Sequence, residues 1–297
     1  MQNNYILLDG KIVSEHLKKS FSERISKLKR KGILPGLAVI LIGDDPASQV
    51  YVRNKERDFI KLGLNSRVFK FDKKAKKEDI LSLIDHLNKN DEYHGILVQL
   101  PLPEGIDEFE IVSAISPDKD ADGLHPYNIG TMTTGRECPF PCTPHGILKI
   151  LEFYNIDPAG KHVAIVGRSN IVGKPLAILL MQKRNMGNAT VTVCHSRTEN
   201  LKEITRTADI LVAAIGKPEF IKREHIKDGV VIIDVGINRV EDKLSNKGYR
   251  LTGDVDFNDV LDKVSAITPV PGGVGLMTRT MLIHNTLYLA EKKAGLI

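Results

Sequence analysis

A phenol and an amine stand four residues apart in this chain, at Tyr51 and Lys55. The pattern of residues 46–62 predicts a helix, and a spacing of four then places both side chains on one helical face. A basic amine beside a phenol could handle protons during catalysis. The alternative for this pair alone is a solvated helix face, because the same segment carries other charged residues: Arg53, Glu56 and Arg57.

Two further segments add chemistry of other kinds. The apolar run that contains Val98 ends at the lone amide of Gln99, and a later segment holds the carboxylates of Asp118, Asp120 and Asp122. An amide orients a neighbouring group without titrating, whereas a carboxylate accepts hydrogen bonds from amino groups and ring nitrogens. Together with the amine, these groups are typical of an enzyme's reaction centre.

Length and composition favour a folded enzyme of about two domains. The chain has 297 residues, of which 42% are hydrophobic and 27% charged, which is ordinary for globular proteins. No apolar run approaches the roughly 20 residues of a membrane helix, and no leader pattern opens the chain, so we expect a soluble, cytoplasmic protein. A net charge of +5 with dispersed lysines does not imply nucleic acid, although it would suit an anionic small molecule.

The cysteines predict neither a disulfide framework nor a metal site. There are three, Cys138, Cys142 and Cys194, and none has the spacing of zinc ligands. Cys142 lies near His145, but an ordinary buried cysteine is favoured there over a catalytic thiol. We therefore expect no metal.

The elements that must position these groups alternate between strands and helices. The first half predicts, in order, a strand at 36–42, the helix at 46–62, a strand at 66–71, a helix at 76–87 and a strand at 95–98. This order indicates a parallel sheet with helices on its faces, in which ligands bind beyond the carboxyl ends of the strands. Gln99 directly follows such an end. Residues 104–144 read mostly as a functional loop, followed by a helix from Thr143 to about Tyr154.

The second half repeats the alternation around a glycine turn. A strand at 162–166 leads into Gly167, and a helix begins near Gly173; further strands are predicted at 190–194, 209–213 and 230–234, and a final helix at 277–293. A strand, a glycine turn and a helix suit a pyrophosphate, which indicates a Rossmann-like half. The spacing is GxSxxxG rather than GxGxxG, so a purely structural turn is the alternative.

The next strand ends in a segment that favours NADP over NAD. Where an NAD-preferring protein usually has a carboxylate, this chain has His195, Ser196 and Arg197. A hydroxyl and a guanidinium can receive a 2′-phosphate, and Arg168 could be a second partner. The alternative is that Arg197 is a solvated turn residue. His195 could be mistaken for a general base, but a cofactor-side or solvated role is favoured.

The ordered set of motifs resembles the bifunctional methylenetetrahydrofolate dehydrogenase/cyclohydrolase family over essentially the whole chain. The matching segments are Tyr51–Lys55, Gln99–Pro103, Lys119–Gly123, Pro141–Pro144, Gly167–Gly173, Gly253–Phe257 and Pro269–Gly275. One departure is Leu276, where the family usually has proline; we expect it to loosen the start of the last helix without loss of activity.

The resemblance implies an α/β fold of two domains with a deep cleft between them. Residues 1–143, completed by 276–297, would form the catalytic folate-binding domain, and 144–275 a Rossmann-like NADP domain. It further implies oxidation of 5,10-methylenetetrahydrofolate with NADP, then hydrolysis of the methenyl product to 10-formyltetrahydrofolate, without a metal. Family members are typically homodimers paired through their cofactor domains.

Residue roles follow from this resemblance and from the chemistry of the side chains. The expected catalytic residues are Lys55 as proton carrier, Gln99 as its neutral partner, Tyr51 as stacking ring and hydroxyl, and Asp122, chosen over Asp120, as the pterin's carboxylate. The remaining expected substrate-binding residues are Val98, Leu100, Pro101, Pro271, Gly272 and Gly273. The expected cofactor-binding residues are Thr143, Gly167, Arg168, Ser169, Ile171, Val172, Gly173, His195, Ser196, Arg197 and Ile237.

Two other functions stay open at this level. A dehydrogenase without cyclohydrolase activity is disfavoured by intact Tyr51, Lys55 and Gln99. A regulatory protein that senses nucleotides would have kept the Rossmann-like half without needing the first-half site. The PGGVG segment also has a structural alternative, as a flexible start of the final helix.

Overall fold

The computed structural model describes residues 5–242, 245 and 248–297. In chain order the elements are β1 (Ile6–Leu7), α1 (Gly10–Arg30), β2 (Gly36–Ile42), α2 (Pro46–Lys61), β3 (Asn65–Phe71), α3 (Lys77–Lys89), β4 (Gly95–Val98), α4 (Glu108–Ser113), α5 (Pro126–Thr133), α6 (Cys142–Phe153), β5 (His162–Val166), α7 (Gly173–Met181), β6 (Thr190–Cys194), α8 (Leu201–Thr207), β7 (Ile210–Ala213), β8 (Val230–Asp234), β9 (Asn238–Glu241), β10 (Tyr249–Thr252), α9 (Phe257–Val260), β11 (Val264–Ile267) and α10 (Val274–Lys293). Two 3₁₀ turns lie at Pro117–Lys119 and Arg223–His225.

These residues divide into two compact units. The three-stranded unit comprises Leu17–Cys142 and Arg279–Ile297, and the six-stranded unit comprises Thr143–Thr278 with the described residues up to His16. The predicted domains placed the N-terminus with the first half. In the structure β1 instead pairs in parallel with β11, with Ile6 opposite Ala266, which ties the N-terminal strand to the other unit.

The three-stranded unit is a parallel sheet in the order β3, β2, β4 within the described residues. Every residue of the central strand β2 is buried, as expected for a strand covered on both faces. A buried apolar cluster joins the sheet to α3 and α4, for example through Ile40, Ile84 and Ile111. The predicted alternation of strands and helices is confirmed for this half.

Helix α2 forms where the sequence provides a cap and a buried face. The side chain of Asp45 accepts a hydrogen bond from the Ser48 amide at 2.7 Å, and Pro46 lies in the first turn. The buried residues recur every three or four positions: Ser48, Val52, Lys55, Asp58 and Phe59. Burial of this face against the sheet carries the amine of Lys55 into the interior.

The segment at 104–144 is less irregular than the sequence indicates. The segment contains α4 and α5, both too short to show a helical period in the sequence. Each begins with a side-chain cap, because Asp107 accepts from the Phe109 amide at 2.9 Å and His125 Nδ1 from the Tyr127 amide at 3.0 Å.

In the six-stranded unit six of the described strands form one parallel sheet in the order β1, β11, β8, β7, β5, β6. The antiparallel pair β9 and β10 is separate. A buried apolar cluster covers the sheet, with Ala164, Leu211 and Ile232 among its members. This arrangement confirms the Rossmann-like prediction, and the strands at 162–166, 190–194 and 230–234 have the predicted bounds.

The last helix begins three residues earlier than predicted, at Val274. The amide of Leu276 donates to the Gly273 carbonyl at 3.3 Å, a bond that proline could not make. Leu276 therefore adds a backbone hydrogen bond to the first turn. Among the helices of the described residues, none is both long and apolar enough to cross a membrane.

Candidate active site

In the three-stranded unit, the amine of Lys55 meets the amide of Gln99. Lys55 is only 8% exposed, and its Nζ donates to Gln99 Oε1 at 3.0 Å. The Gln99 backbone amide donates to the Ile40 carbonyl at 2.9 Å, which continues the pairing of β4 with β2 by one residue. The side-chain Nε2 of Gln99 donates to the Leu100 carbonyl at 2.7 Å. These two bonds fix the amide with its oxygen towards the lysine.

The surroundings of Lys55 favour its neutral form. Burial is the main cause that lowers its pKa, and the positive charge of Arg279 acts in the same direction. The charge of Asp122, and after it Cys142, opposes this shift. Cys142 is itself a poor anion, because burial raises the pKa of its thiol well above the ordinary value. Lys55 is therefore a lysine able to exchange a proton.

The two neighbouring carboxylates have different environments. Asp120 is 1% exposed, and its oxygens accept from three backbone amides of 123–125 and from Asn128 Nδ2, at 2.8 to 3.2 Å. Asp120 thus fixes the fold of its own loop. Asp122 is half-buried and interacts electrostatically with Lys55. This contrast supports the choice of Asp122 for substrate binding.

The other expected substrate residues of this unit lie close in sequence to these groups. Tyr51 is half-buried, one turn before Lys55 on α2. Val98, the last residue of β4, is buried, whereas Pro101 is exposed after a cis peptide bond. The phenol of Tyr51 is therefore one helical turn from Lys55, and the segment after β4 directly follows Gln99 in the chain.

In the six-stranded unit, the turn after β5 packs too closely for side chains at its glycines. A Cβ atom on Gly167, which has a φ of +131°, would lie 2.1 Å from the Ala214 carbonyl oxygen. A Cβ atom on Gly173 would lie 2.1 Å from the Gly167 carbonyl oxygen. Helix α7 therefore begins directly against the strand end, which leaves the intervening residues at the surface: Arg168, Ser169, Asn170 and Ile171 are exposed. Val172, by contrast, is buried, and its amide donates to Ser169 Oγ at 3.1 Å.

The segment after β6 forms a tight turn with its polar side chains outward. His195 Nδ1 accepts from the Arg197 amide at 3.1 Å, and the His195 amide donates to Thr198 Oγ1 at 2.8 Å. Ser196 and Arg197 are both exposed. Nδ1 of His195 is thus occupied in shaping the turn. A neutral imidazole that accepts at Nδ1 carries its hydrogen on Nε2, which argues against its acting as a general base.

The PGGVG segment and its neighbours belong to the same unit up to Thr278. A Cβ atom on Gly273 would lie 2.6 Å from the Pro269 carbonyl oxygen, and one on Gly275 would lie 2.9 Å from Ile237 Cδ1. Gly272 has a φ of +117°, and the peptide bond before the exposed Pro271 is cis. Thr143 Oγ1 lies 2.9 Å from Thr278 Oγ1. The close packing favours a fixed segment over a flexible helix start.

Two family models match the chain. The tetrahydrofolate dehydrogenase/cyclohydrolase catalytic domain matches residues 8–122, and the NAD(P)-binding domain of the same family matches residues 141–294. The chain belongs to the tetrahydrofolate dehydrogenase/cyclohydrolase family.

Relatives and solved structures of this family align over nearly the full chain. The Bifunctional protein FolD of Prosthecochloris aestuarii is 54% identical, covering 95% of this chain and 97% of its own. The FolD methylenetetrahydrofolate dehydrogenase/cyclohydrolase of Campylobacter jejuni is 45% identical with a TM-score of 0.91, covering 97% of this chain and 99% of its own. The Trypanosoma brucei enzyme, complexed with NADP cofactor and inhibitor, is 38% identical with a TM-score of 0.92 and 98% coverage of both chains.

The structure of this dehydrogenase/cyclohydrolase also contains charged residues near Lys55 that the sequence did not indicate. Asp58 and Arg279 are both largely buried, and Arg279 Nε lies 3.3 Å from Asp58 Oδ2, with Lys18 Nζ at 3.8 Å from the same oxygen. Asp58 follows Lys55 by three residues on α2, so the helical spacing alone could have placed it on the buried face. Nothing local in the sequence could have paired it with Arg279, which lies over 200 residues later.

The six-stranded unit of this family member has surfaces that fit a dinucleotide. The glycine turn brings the amides at the start of α7 close to the end of β5, an arrangement that suits a pyrophosphate. Two exposed arginines, Arg168 and Arg197, and the hydroxyl of Ser196 stand on the turns that follow β5 and β6. Such groups suit a 2′-phosphate better than a ribose hydroxyl. The roles of the individual residues stay predictions.

Proposed function

We propose that this protein oxidises 5,10-methylenetetrahydrofolate to the 5,10-methenyl form with NADP, and then hydrolyses that product to 10-formyltetrahydrofolate. The contact between buried Lys55 and Gln99 carries the proposal, because a lysine whose pKa is lowered by burial, beside a partner that does not titrate, is suited to moving the proton of a hydrolysis. Membership of the dehydrogenase/cyclohydrolase family supports the same pair of reactions.

Folate binding is assigned to the half-buried groups next to this contact. The carboxylate of Asp122 would accept hydrogen bonds from the amino group and a ring nitrogen of the pterin. Tyr51 would offer its ring for stacking and its hydroxyl for holding Lys55 in place. Val98, Leu100 and Pro101 would border the substrate along the segment after β4, and Pro271, Gly272 and Gly273 would approach it with their backbone.

Oxidation needs orientation more than it needs an acid. NADP, when bound, supplies the acceptor for the hydride that leaves the one-carbon bridge. The amides near Gly167 and Gly173 would hold the pyrophosphate, and Arg197, Ser196 and Arg168 would hold the 2′-phosphate. Thr143, Ser169, Ile171, Val172, His195 and Ile237 would complete the cofactor surface. No proton moves at Lys55 in this step.

Hydrolysis of the methenyl cation requires a proton carrier. Water forms a bond to the one-carbon centre while neutral Lys55 accepts a proton from it. The resulting ammonium then returns that proton to the ring nitrogen as the bond between that nitrogen and the carbon breaks. The remaining hydroxyl proton of the adduct passes to the amine or to solvent, which leaves the neutral 10-formyl group and one released proton. Gln99 would orient the amine in both states, since its oxygen accepts from either form and carries no charge that would trap the ammonium.

The test mixes purified protein with 5,10-methylenetetrahydrofolate and either NADP or NAD, and follows reduced cofactor and methenyl-folate by absorbance in one cuvette. We expect reduced NADP to form without lasting methenyl-folate. In Lys55→Gln, methenyl-folate should accumulate, because the variant should continue to reduce the cofactor but should no longer hydrolyse the product. Normal hydrolysis by that variant would refute the lysine's role, and no reduction of either cofactor by the unmodified protein would refute the whole proposal.

A homodimer and a cytoplasmic location complete the proposal. Within the described residues β6 is an edge strand of its sheet, paired only with β5, and such an edge is available to a second copy of the chain. Light scattering should give twice the mass of one chain, and a monomer at micromolar concentration would contradict the dimer. Cell fractionation would test the location.

A further inference from the structure

A buried carboxylate joins the loops that follow two central strands of the six-stranded unit. Asp254 is fully buried, and its Oδ2 accepts from the amides of Ile215 and Gly216, after β7, at 2.6 and 2.9 Å. Its Oδ1 accepts from Asn238 Nδ2, at the start of β9, at 2.9 Å. Both carboxylate oxygens of Asp254 therefore accept hydrogen bonds, and the donor in each of these bonds is an N–H group.

A second carboxylate holds the segment that carries Asp254. Asp234 ends β8 and is 4% exposed; its oxygens accept from the amides of Gly236, Asp254 and Val255 at 2.9 to 3.0 Å. Glycine is required where the segment passes these groups, because a Cβ atom on Gly253 would lie 1.8 Å from Asp234 Oδ2. The two carboxylates thus fix each other's loops.

The residues bound to Asp254 adjoin the expected cofactor surface. Ala214, directly before Ile215, has its carbonyl oxygen 2.1 Å from the Cβ position of Gly167 in the glycine turn. On the other side, Ile237 precedes Asn238, and its side chain covers Gly275. Both loops lie at the carboxyl ends of parallel strands, which is the ligand-binding edge of such sheets.

We propose that Asp254 is a positioning residue for NADP: its carboxylate sets the loops at 214–216 and 236–238 in the conformation that receives the dinucleotide, without touching it. The inference rests on the proposed use of NADP. Its consequence is that a change at Asp254 weakens cofactor binding while leaving the Lys55 chemistry, which belongs to the other unit, intact.

The test uses the hydrogen-bond polarity of the pair formed by Asp254 and Asn238. In Asp254→Asn, the side-chain amide can be placed in two orientations. In either one its NH₂ group faces N–H donors, which are the amides of Ile215 and Gly216 in one orientation and Asn238 Nδ2 in the other. The double variant Asp254→Asn/Asn238→Asp reverses both partners, so every donor again has an acceptor and the net charge is kept. Asp256→Asn is the matched control, since Asp256 only caps α9 two residues away.

Two readouts separate positioning from a general loss of structure. Calorimetry measures the NADP dissociation constant, and hydrolysis of added methenyl-folate without cofactor reports the state of the Lys55 site. We expect Asp254→Asn to bind NADP at least tenfold more weakly with hydrolysis changed less than twofold, the double variant to recover most of the affinity, and the control to match the unmodified protein.

Three results would overturn the inference: wild-type affinity in Asp254→Asn, parallel loss of binding and hydrolysis, or no recovery in the double variant. If Asp254→Asn does not fold, Asn238→Ala removes one of the three donors to Asp254 and should weaken NADP binding several-fold; unchanged affinity there would refute the inference. Absence of NADP binding by the unmodified protein would instead refute the proposed function.

Discussion

The sharpest test of the proposed proton transfer is to place a charge where the structure has a neutral amide. In Gln99→Glu, a carboxylate oxygen would stand about 3.0 Å from Lys55 Nζ, in place of the amide oxygen. Two unit charges at this separation attract by about 5 kcal/mol at an effective dielectric constant of about 20. Desolvation of the new carboxylate offsets part of this, which leaves about 3 kcal/mol in favour of the ammonium.

A stabilisation of this size has a measurable kinetic effect. About 3 kcal/mol reduces the ratio of neutral to protonated lysine roughly a hundredfold, since each 1.4 kcal/mol is a factor of ten. Hydrolysis of methenyl-folate near pH 7 should fall by up to this factor and should recover as pH is raised. The direction follows because a nearby negative charge raises the pKa of Lys55, against the lowering caused by burial.

The assay follows the absorbance of methenyl-folate from pH 6 to 10 for three proteins: unmodified, Gln99→Glu and Gln99→Met. The methionine variant loses the hydrogen bond but gains no charge, so its profile should fall without moving to higher pH. NADP reduction with 5,10-methylenetetrahydrofolate serves as the control for substrate binding. A glutamate variant that hydrolyses at the wild-type rate with an unshifted profile would refute proton transfer by Lys55.

Further predictions concern the cofactor, the glycine turn and acid stability. Arg197→Ala should raise KM for NADP about ten- to a hundredfold and leave KM for NAD unchanged, because a charge-assisted bond to the 2′-phosphate is lost; equal effects on both cofactors would contradict this assignment. Gly173→Ala should lower both NADP affinity and the thermal midpoint, since the new Cβ would lie 2.1 Å from the Gly167 carbonyl oxygen; a protein with unchanged values would show that the turn relaxes freely. Burial lowers the pKa of His94 from 6.5 to about 4, so the unfolded chain binds the proton first and stability falls by about 3 kcal/mol as pH drops from about 6.5 to 4. His94→Asn keeps an acceptor for the Gly36 amide without titrating, and urea unfolding at pH 7 and 4.5 should then show a smaller drop than in the unmodified protein.

Strands were predictable from sequence where both faces are buried, because such strands consist of consecutive apolar residues. The strands at 162–166 and 230–234 have the predicted bounds for this reason. The edge strand at 190–194 is only partly buried, and its β-branched threonines and valines indicate a strand instead. Short elements were not predictable: β1 has two residues and exists through its pairing with β11, more than 250 positions away. Helices α4 and α5 are too short for a period and depend on caps and packing.

The candidate site was predictable to the extent that its chemistry is local. The spacing of Tyr51 and Lys55 on one helix and the position of Gln99 after a strand led to the pair that the structure brings to 3.0 Å. The contact of Asp58 with Arg279 and the bonds of the Asp254 carboxylate to two separate segments connect residues distant in sequence. Residue types and spacing carry no information on such pairings.

The balance around Lys55 explains why the site combines these residue types. Burial alone would leave a lysine that cannot hold a proton, and a carboxylate in direct contact would leave one that cannot release it. In the structure the contacting atom is the neutral oxygen of Gln99, while the negative charge of Asp122 acts on Lys55 without a direct ion pair in the described contacts. Burial lowers the pKa of Lys55 and the charge of Asp122 raises it, so the neutral amine and the ammonium are both accessible. In the proposed mechanism, hydrolysis needs the amine first as acceptor and then as donor and depends on this balance, whereas hydride transfer does not. Changes of charge near Lys55 should therefore shift the pH dependence of hydrolysis without altering that of oxidation, and neutral changes of similar size should not shift it.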